Sequence, residues 1–228
     1  MEKTKVDFDA YTENYNDLLR DQTSFFSSND QYFAEYKVRA VRSKLKREPK
    51  RILEYGCGIG RNVRYLAAEF PFAEIVGTDI SHESIDLARS ENSHARFEVE
   101  SSSLELGEFD LVFVAGVFHH IPPSQRAESV QTILNRMRKG GEVFIFEHNP
   151  YNPVTRRIVN NCPYDADAVL LRPAELRQRL EAGGFKLLDG SYCLLIPPSL
   201  KWLAPIERFF GALPLGGQYW VSAEKCDN

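Results

Sequence analysis

The stretch Ile52-Leu53-Glu54-Tyr55-Gly56-Cys57-Gly58-Ile59-Gly60-Arg61-Asn62 limits what this chain can fold into more than any other feature. An apolar run ends at Tyr55, glycines follow at alternate positions, and Asn62-Val63-Arg64-Tyr65-Leu66-Ala67 opens a helical pattern. Glycine is needed where the backbone turns through φ > 0 or approaches a ligand closely. One glycine would mark an ordinary strand-to-helix turn. Three alternating glycines directly after a buried strand point to a loop built around a nucleotide.

The remaining pattern agrees with that start. Short β-branched or aromatic runs at Arg51–Tyr55, Glu74–Asp79, Arg96–Val99, Asp110–Ala115 and Glu142–Glu147 alternate with helical segments. Several runs are apolar at successive positions, as strands buried on both faces must be. Ser81 is placed to cap a helix carrying Ile85 and Ala88, and Pro173 and Gly183-Gly184 bracket another carrying Leu176 and Leu180. Such alternation predicts one α/β domain over 1–228 with a largely parallel sheet covered on both faces. Residues 1–48 read as a helical cap over the sheet, with Tyr11 and Tyr15 on one stripe.

Spacing narrows the nucleotide. A dinucleotide site needs GxGxxG, with the third glycine packing a helix whose N-terminus faces the pyrophosphate. Counting from Gly56 puts Arg61 at the third position, and counting from Gly58 puts Val63 there. Glu54, two residues before the first glycine, would repel a phosphate and suits a cationic amine. Asp79 ends the next strand, where an acid accepts both ribose hydroxyls. A nucleoside with an amino-acid tail and no phosphate matches, and S-adenosylmethionine is such a molecule. An NAD-dependent oxidoreductase is disfavoured on the same grounds.

Glu54-x-Gly56-Cys57-Gly58-x-Gly60 and Gly77-Thr78-Asp79-Ile80-Ser81 resemble the class I S-adenosylmethionine-dependent methyltransferases. Phe109-Asp110-Leu111-Val112, Phe118-His119-His120-Ile121-Pro122 and Leu134 through Lys139-Gly140-Gly141 match the small-molecule branch of that family. The resemblance spans about Phe8 to Phe146. It implies a Rossmann-like fold with a seven-stranded, mostly parallel sheet, and a last, antiparallel strand at Gly216–Ala223. It implies S-adenosylmethionine as cofactor and S-adenosylhomocysteine as product, held by Gly56, Cys57, Gly58 and Gly60, with Glu54 near the amine or orienting the loop. Asp79 would hold the ribose, Ile80 the adenine, Ala115 and Gly116 the methionine portion, and Tyr11 and Tyr15 would close over it. The family usually carries Asp-Ala after the third strand, where the Asp reads adenine. Here Glu100-Ser101-Ser102-Ser103 stands there, so the resemblance puts Ser101, with Ser102 beside it, at that contact, or Glu100 if the register slips by one.

Reacting groups in such a sheet lie beyond the carboxyl ends of the strands. His148 follows the fifth strand beside Glu147 and is the candidate general base for an alcohol acceptor, its imidazole expected near pKa 6.5. His119 and His120 shape the loop after the fourth strand or touch the substrate, as does Asn149. Residues 149–172 read as an acceptor lid. In it Arg156 and Arg157 either clamp an anionic group or pair with Asp165 and Asp167. No HxxxH pair or carboxylate cluster points to a metal. A non-catalytic S-adenosylmethionine-binding module is the alternative to an enzyme.

Trp202, Leu203, Ile206, Phe209, Phe210 and Leu213 form an apolar face within 199–213, read as a helix packed on the sheet or as a surface for a lipid-linked acceptor, a membrane or a dimer partner. With Asn152–Arg157, this end of the chain resembles, more weakly, methyltransferases of cell-surface polysaccharide or glycolipid assembly. The formal charge of −4 over 228 residues leaves no basic footprint for nucleic acid. The longest apolar run, Leu111–Phe118, is too short to cross a bilayer. Met1–Lys5 lacks the apolar stretch of a signal peptide, and Cys57, Cys162, Cys193 and Cys226 form no CxxC pair. These features predict a reduced, cytoplasmic protein.

Overall fold

A computed structural model describes residues 6–9, 31–101, 103–196, 202, 204–207 and 209–226. In chain order it contains α1 (Gln31–Lys44), β1 (Arg51–Tyr55), α2 (Val63–Glu69), β2 (Glu74–Asp79), α3 (His82–Glu91), β3 (Arg96–Val99) and β4 (Phe109–Ala115). There follow α4 (Arg126–Arg136), β5 (Met137–His148), α5 (Pro153–Asn161), a 3-10 turn (Pro163–Asp165), α6 (Pro173–Ala182), β6 (Phe185–Cys193), α7 (Ala204–Glu207) and β7 (Gln218–Lys225). The seven strands form one sheet in the order β3-β2-β1-β4-β5-β7-β6. Pairings from β3 to β5 are parallel, and β7 runs antiparallel to both β5 and β6.

The sheet has a core on each face because its strands are apolar at successive positions. Leu53, Val112, Val143 and Ile145 point to the side covered by Val130 and Ile133 of α4 and Leu176 and Leu180 of α6. Ile52, Leu111, Phe113, Phe144 and Phe146 point to the other, where α1, α2 and α3 supply Val38, Val41, Leu66 and Ile85. The period of two along each strand sorts neighbours to opposite cores. Local signals behave as expected. Ser81 Oγ accepts the Ser84 N–H at 3.0 Å as the cap of α3, and α6 starts with Pro173 at its first turn.

Among the described residues the N-terminal part contributes α1 and the segment 6–9. Tyr11, Tyr15 and Ser102 lie outside the described residues. Of the apolar face expected at 199–213, Leu203 lies outside the described residues, and the described members do not bury their side chains. α7 is a single turn, and Trp202, Ile206, Phe209, Phe210 and Leu213 are exposed. No helix among the described residues is long and apolar enough to cross a membrane.

Candidate active site

A cavity of about 440 Å³ opens at the carboxyl ends of the parallel strands, lined by Tyr55 of β1, Asp79 of β2, Ala115 of β4 and His148 of β5. The order β3-β2-β1-β4 reverses the winding between β1 and β4, and this is where open α/β sheets bind ligands.

One half of the cavity is the glycine loop. Gly56 turns at φ +71, and a Cβ there would overlap the Val117 side chain. Gly58 turns at φ +51, and a Cβ there would meet nothing within 4 Å. The first glycine is therefore demanded by packing and the second leaves open space beside the loop. Asp79 pins this arrangement: Oδ2 accepts the Gly58 N–H at 2.7 Å and Oδ1 accepts the Ser81 N–H at 3.0 Å. Burial raises the Asp79 pKa and these backbone bonds oppose the shift. Ile80 lies half exposed on the wall, which Ala115 and Gly116 also line.

Glu54 sits beneath the loop, 1% exposed. Its Oε1 accepts from Asn62 Nδ2 at 2.6 Å, whereas Oε2 is buried without a hydrogen-bond partner. Burial pushes its carboxyl up to about 8, against the pull of Asn62 and Lys37. Lys37 of α1 lines the same cavity, its ammonium brought down to about 8 by burial. A buried carboxyl with one unpartnered oxygen can give up its proton to pair with an incoming ammonium. With Asp79 and the space at Gly58, the residues present fit S-adenosylmethionine.

Several expected contacts fall elsewhere. Gly60 is packed against Asn92 at the end of α3 and Phe97 of β3 and does not line the cavity. Ser101 is exposed and off the wall, whereas Glu100 lines it. Glu100 is held by a two-pronged pair with Arg136, both bonds 2.6 Å.

The other half carries the histidines. Glu147, the chain neighbour of His148, is not its hydrogen-bond partner. Strand alternation turns neighbours to opposite sides, and Glu147 instead accepts His119 Nδ1 at 2.6 Å and the Val117 and Phe118 N–H groups at 3.0 and 2.8 Å. His119 and His120 both face the cavity, and their loop is clamped from below by Arg126. That buried guanidinium donates to the Phe118 and Ile121 carbonyls and pairs with Glu175 at 3.0 Å. His119 is drawn up to about 10, because Glu147 and Asp165 outweigh its burial. His148 is pushed down to about 4 by burial and by the neighbouring His119, so it is neutral at physiological pH and does not titrate near 6.5.

The segment 149–172 delivers Thr155, Ile158, Cys162, Tyr164 and Asp165 to the wall. Its arginines go the other way. Arg156 and Arg157 are exposed and off the wall, because Thr155 and Val159 occupy the inward face of α5. Asp165 and Asp167 turn to the histidines instead, with His120 Nδ1 bonded to Asp167 Oδ1 at 2.9 Å. Asn149 is fully buried and structural. Its Nδ2 donates to the Pro214 and Gly216 carbonyls at 3.0 and 2.7 Å, and its Oδ1 accepts the Tyr151 N–H at 3.0 Å. No metal-ligand spacing is present along the chain, yet His119, His120 and Asp165 present ligand atoms within 4.8 Å of one another.

The strand order with its antiparallel β7, and a nucleoside-type site at the switch point, define a class I methyltransferase fold. Residues 26–189 match the model of a methyltransferase-domain family, and the chain belongs to that family. It is 25% identical over 170 residues to a ubiquinone biosynthesis O-methyltransferase of Coxiella burnetii, covering 67% of this chain and 70% of that protein. It is 28% identical over 141 residues to a trans-aconitate 2-methyltransferase of Azoarcus, covering 58% and 53%. A SAM-dependent methyltransferase from Archaeoglobus fulgidus shares the fold at TM-score 0.66 and 18% identity, over 92% of this chain and 100% of that one.

Proposed function

We propose that this methyltransferase moves a methyl group from S-adenosylmethionine to an oxygen of a small acceptor. The observation that carries the reading is the division of one cavity into a glycine-loop half, walled by Asp79 and Lys37 with the unpartnered Glu54 oxygen beneath the loop, and a histidine half. The cofactor supplies an electrophilic methyl on a sulfonium. Asp79 and Ile80 hold the nucleoside, Glu54 and Lys37 set the charge around the amino-acid tail, and Gly116 lets the chain pass close. His148, neutral and facing the cavity, accepts a hydrogen bond from the acceptor hydroxyl and orients it, and orientation is a large share of what such a displacement needs. The segment 149–172 forms the acceptor wall, which makes it the element that selects substrate.

Oxygen as the acceptor atom is supported by the O-methyltransferase among the relatives. The apolar side chains of Trp202, Phe209, Phe210 and Leu213 are exposed on the segment that leads into Gly217 of the cavity wall, and they favour an acceptor with a hydrocarbon portion. The four free cysteines, three of them buried, support a reduced, cytoplasmic setting. Calorimetry tests the cofactor reading: S-adenosylhomocysteine binds at micromolar levels and NADH gives no heat. Binding of NADH with no response to S-adenosylhomocysteine would overturn it.

A further inference from the structure

The histidine half carries more than an orienting group needs. His119 Nε2 and His120 Nε2 approach the same oxygen, Asp165 Oδ1, at 3.6 and 3.4 Å. Ligand atoms around a tetrahedral ion with bonds of about 2.0–2.2 Å stand roughly 3.3–3.6 Å apart, so both spacings are those of a coordination shell. They are also too long to be good direct hydrogen bonds.

A second observation is independent of those distances. Each imidazole has its far nitrogen held by its own carboxylate: His119 Nδ1 by Glu147 at 2.6 Å and His120 Nδ1 by Asp167 at 2.9 Å. Metal-ligating histidines almost always carry such a partner, which fixes the ring and turns the Nε2 lone pair toward the ion. Glu147 is 1% exposed and Asp167 7%, so this support is built into the interior. Three carboxylates serve two imidazoles here, a balance a dication suits. All three ligand side chains line the cavity, which leaves further positions on an ion open to a substrate oxygen.

We propose that His119, His120 and Asp165 bind one divalent transition-metal ion of the zinc class in the acceptor half of the cavity, with Glu147 and Asp167 as outer supports. Two imidazoles and one carboxylate suit zinc or iron(II) in preference to magnesium or calcium, which take oxygen ligands. The bound ion offers its open position to an acceptor oxygen. The proposal deepens the O-methylation reading but is tested without turnover.

Protein freed of metal by a chelator is titrated with Zn²⁺ by calorimetry, and with Co²⁺ by its visible absorption. The expected result is one ion per chain and a Co²⁺ band. Asp165→Asn and His120→Gln, on different elements, each weaken binding at least ~100-fold and abolish the band, and Asp167→Asn weakens it roughly 10–100-fold. His94→Ala, on the surface, changes neither. Circular dichroism of each variant in chelator confirms folding, and S-adenosylhomocysteine binding by Asp165→Asn stays at the wild-type value. Absence of Zn²⁺ and Co²⁺ binding to the wild type overturns the site, as does wild-type affinity in folded Asp165→Asn and His120→Gln. Loss of S-adenosylhomocysteine binding by the wild type would instead strike the cofactor reading.

Discussion

Asp79 Oδ2 accepts the Gly58 N–H at 2.7 Å, so the acid at the end of β2 holds the glycine loop of β1 as well as facing the cavity. Charge-assisted hydrogen bonds are worth about 1.5–3 kcal/mol each. Asp79→Ala therefore lowers affinity for S-adenosylmethionine at least tenfold, partly by losing ligand contacts and partly by releasing the loop. Calorimetry on the variant checks it, and an unchanged Kd would remove Asp79 from the site.

The glycines separate packing from binding. Gly56→Ala must accept a left-handed conformation, at about 1–2 kcal/mol, and an overlap with Val117 worth roughly 1–3 kcal/mol more. Its Tm falls by roughly 5–15 °C for a chain of this size. Gly58→Ala bears only the conformational cost but puts a methyl into the open space beside the loop. Its Tm drops by less than that of Gly56→Ala, by roughly 2–8 °C, and its cofactor affinity falls more than tenfold. Thermal melts and calorimetry on the two variants must rank them in opposite orders.

Much of this was legible before the fold was known. β1, β2 and β3 start and end where the apolar runs do, since strands buried on both faces leave little freedom of register. The cofactor half was legible because its residues lie within one strand-turn-helix and the end of the next strand. The histidine half was not. Asp165 and Asp167 reach His119 and His120 only through the return of the 149–172 segment, and Lys37 meets Glu54 only because α1 packs against α2. The pairing of Glu147 with His119 in place of His148 is a consequence of the strand's two-residue period, visible once the register of β4 and β5 is known. Arg156 and Arg157 could not be placed without the phase of α5.

Glu54 gives the ligand-free protein a pH signature. Its pKa in the folded state, about 8, lies above the ordinary carboxylate value, so between about pH 4.5 and 8 the native state holds a proton that the unfolded state releases. Stability falls as pH rises wherever the native state binds more protons. The wild-type Tm should decline from pH 5 to pH 8 by more than that of Glu54→Gln, and the gap should widen in favour of the variant. Parallel curves would contradict the buried, protonated Glu54.

His148 and Glu147 should separate in the same way. His148→Ala lowers kcat at least tenfold with the S-adenosylmethionine Kd within about twofold, since the side chain lies in the acceptor half. Glu147→Gln breaks a buried pair with His119 and weakens two backbone bonds, which costs about 3–5 kcal/mol. It therefore shows mainly as lost stability in denaturant titration. A His148 variant with full kcat would leave orientation to other groups of the wall.

The central claim is methyl transfer to oxygen of a small acceptor, and isotope tracing tests it most directly. The protein is incubated with S-adenosylmethionine labelled in its methyl group and a metabolite extract that includes extractable lipids, then read by mass spectrometry. The account predicts labelled methyl on an oxygen of a small molecule, matched one to one by S-adenosylhomocysteine. S-adenosylmethionine that binds and is recovered intact, or label that appears only in protein or nucleic acid, would contradict it.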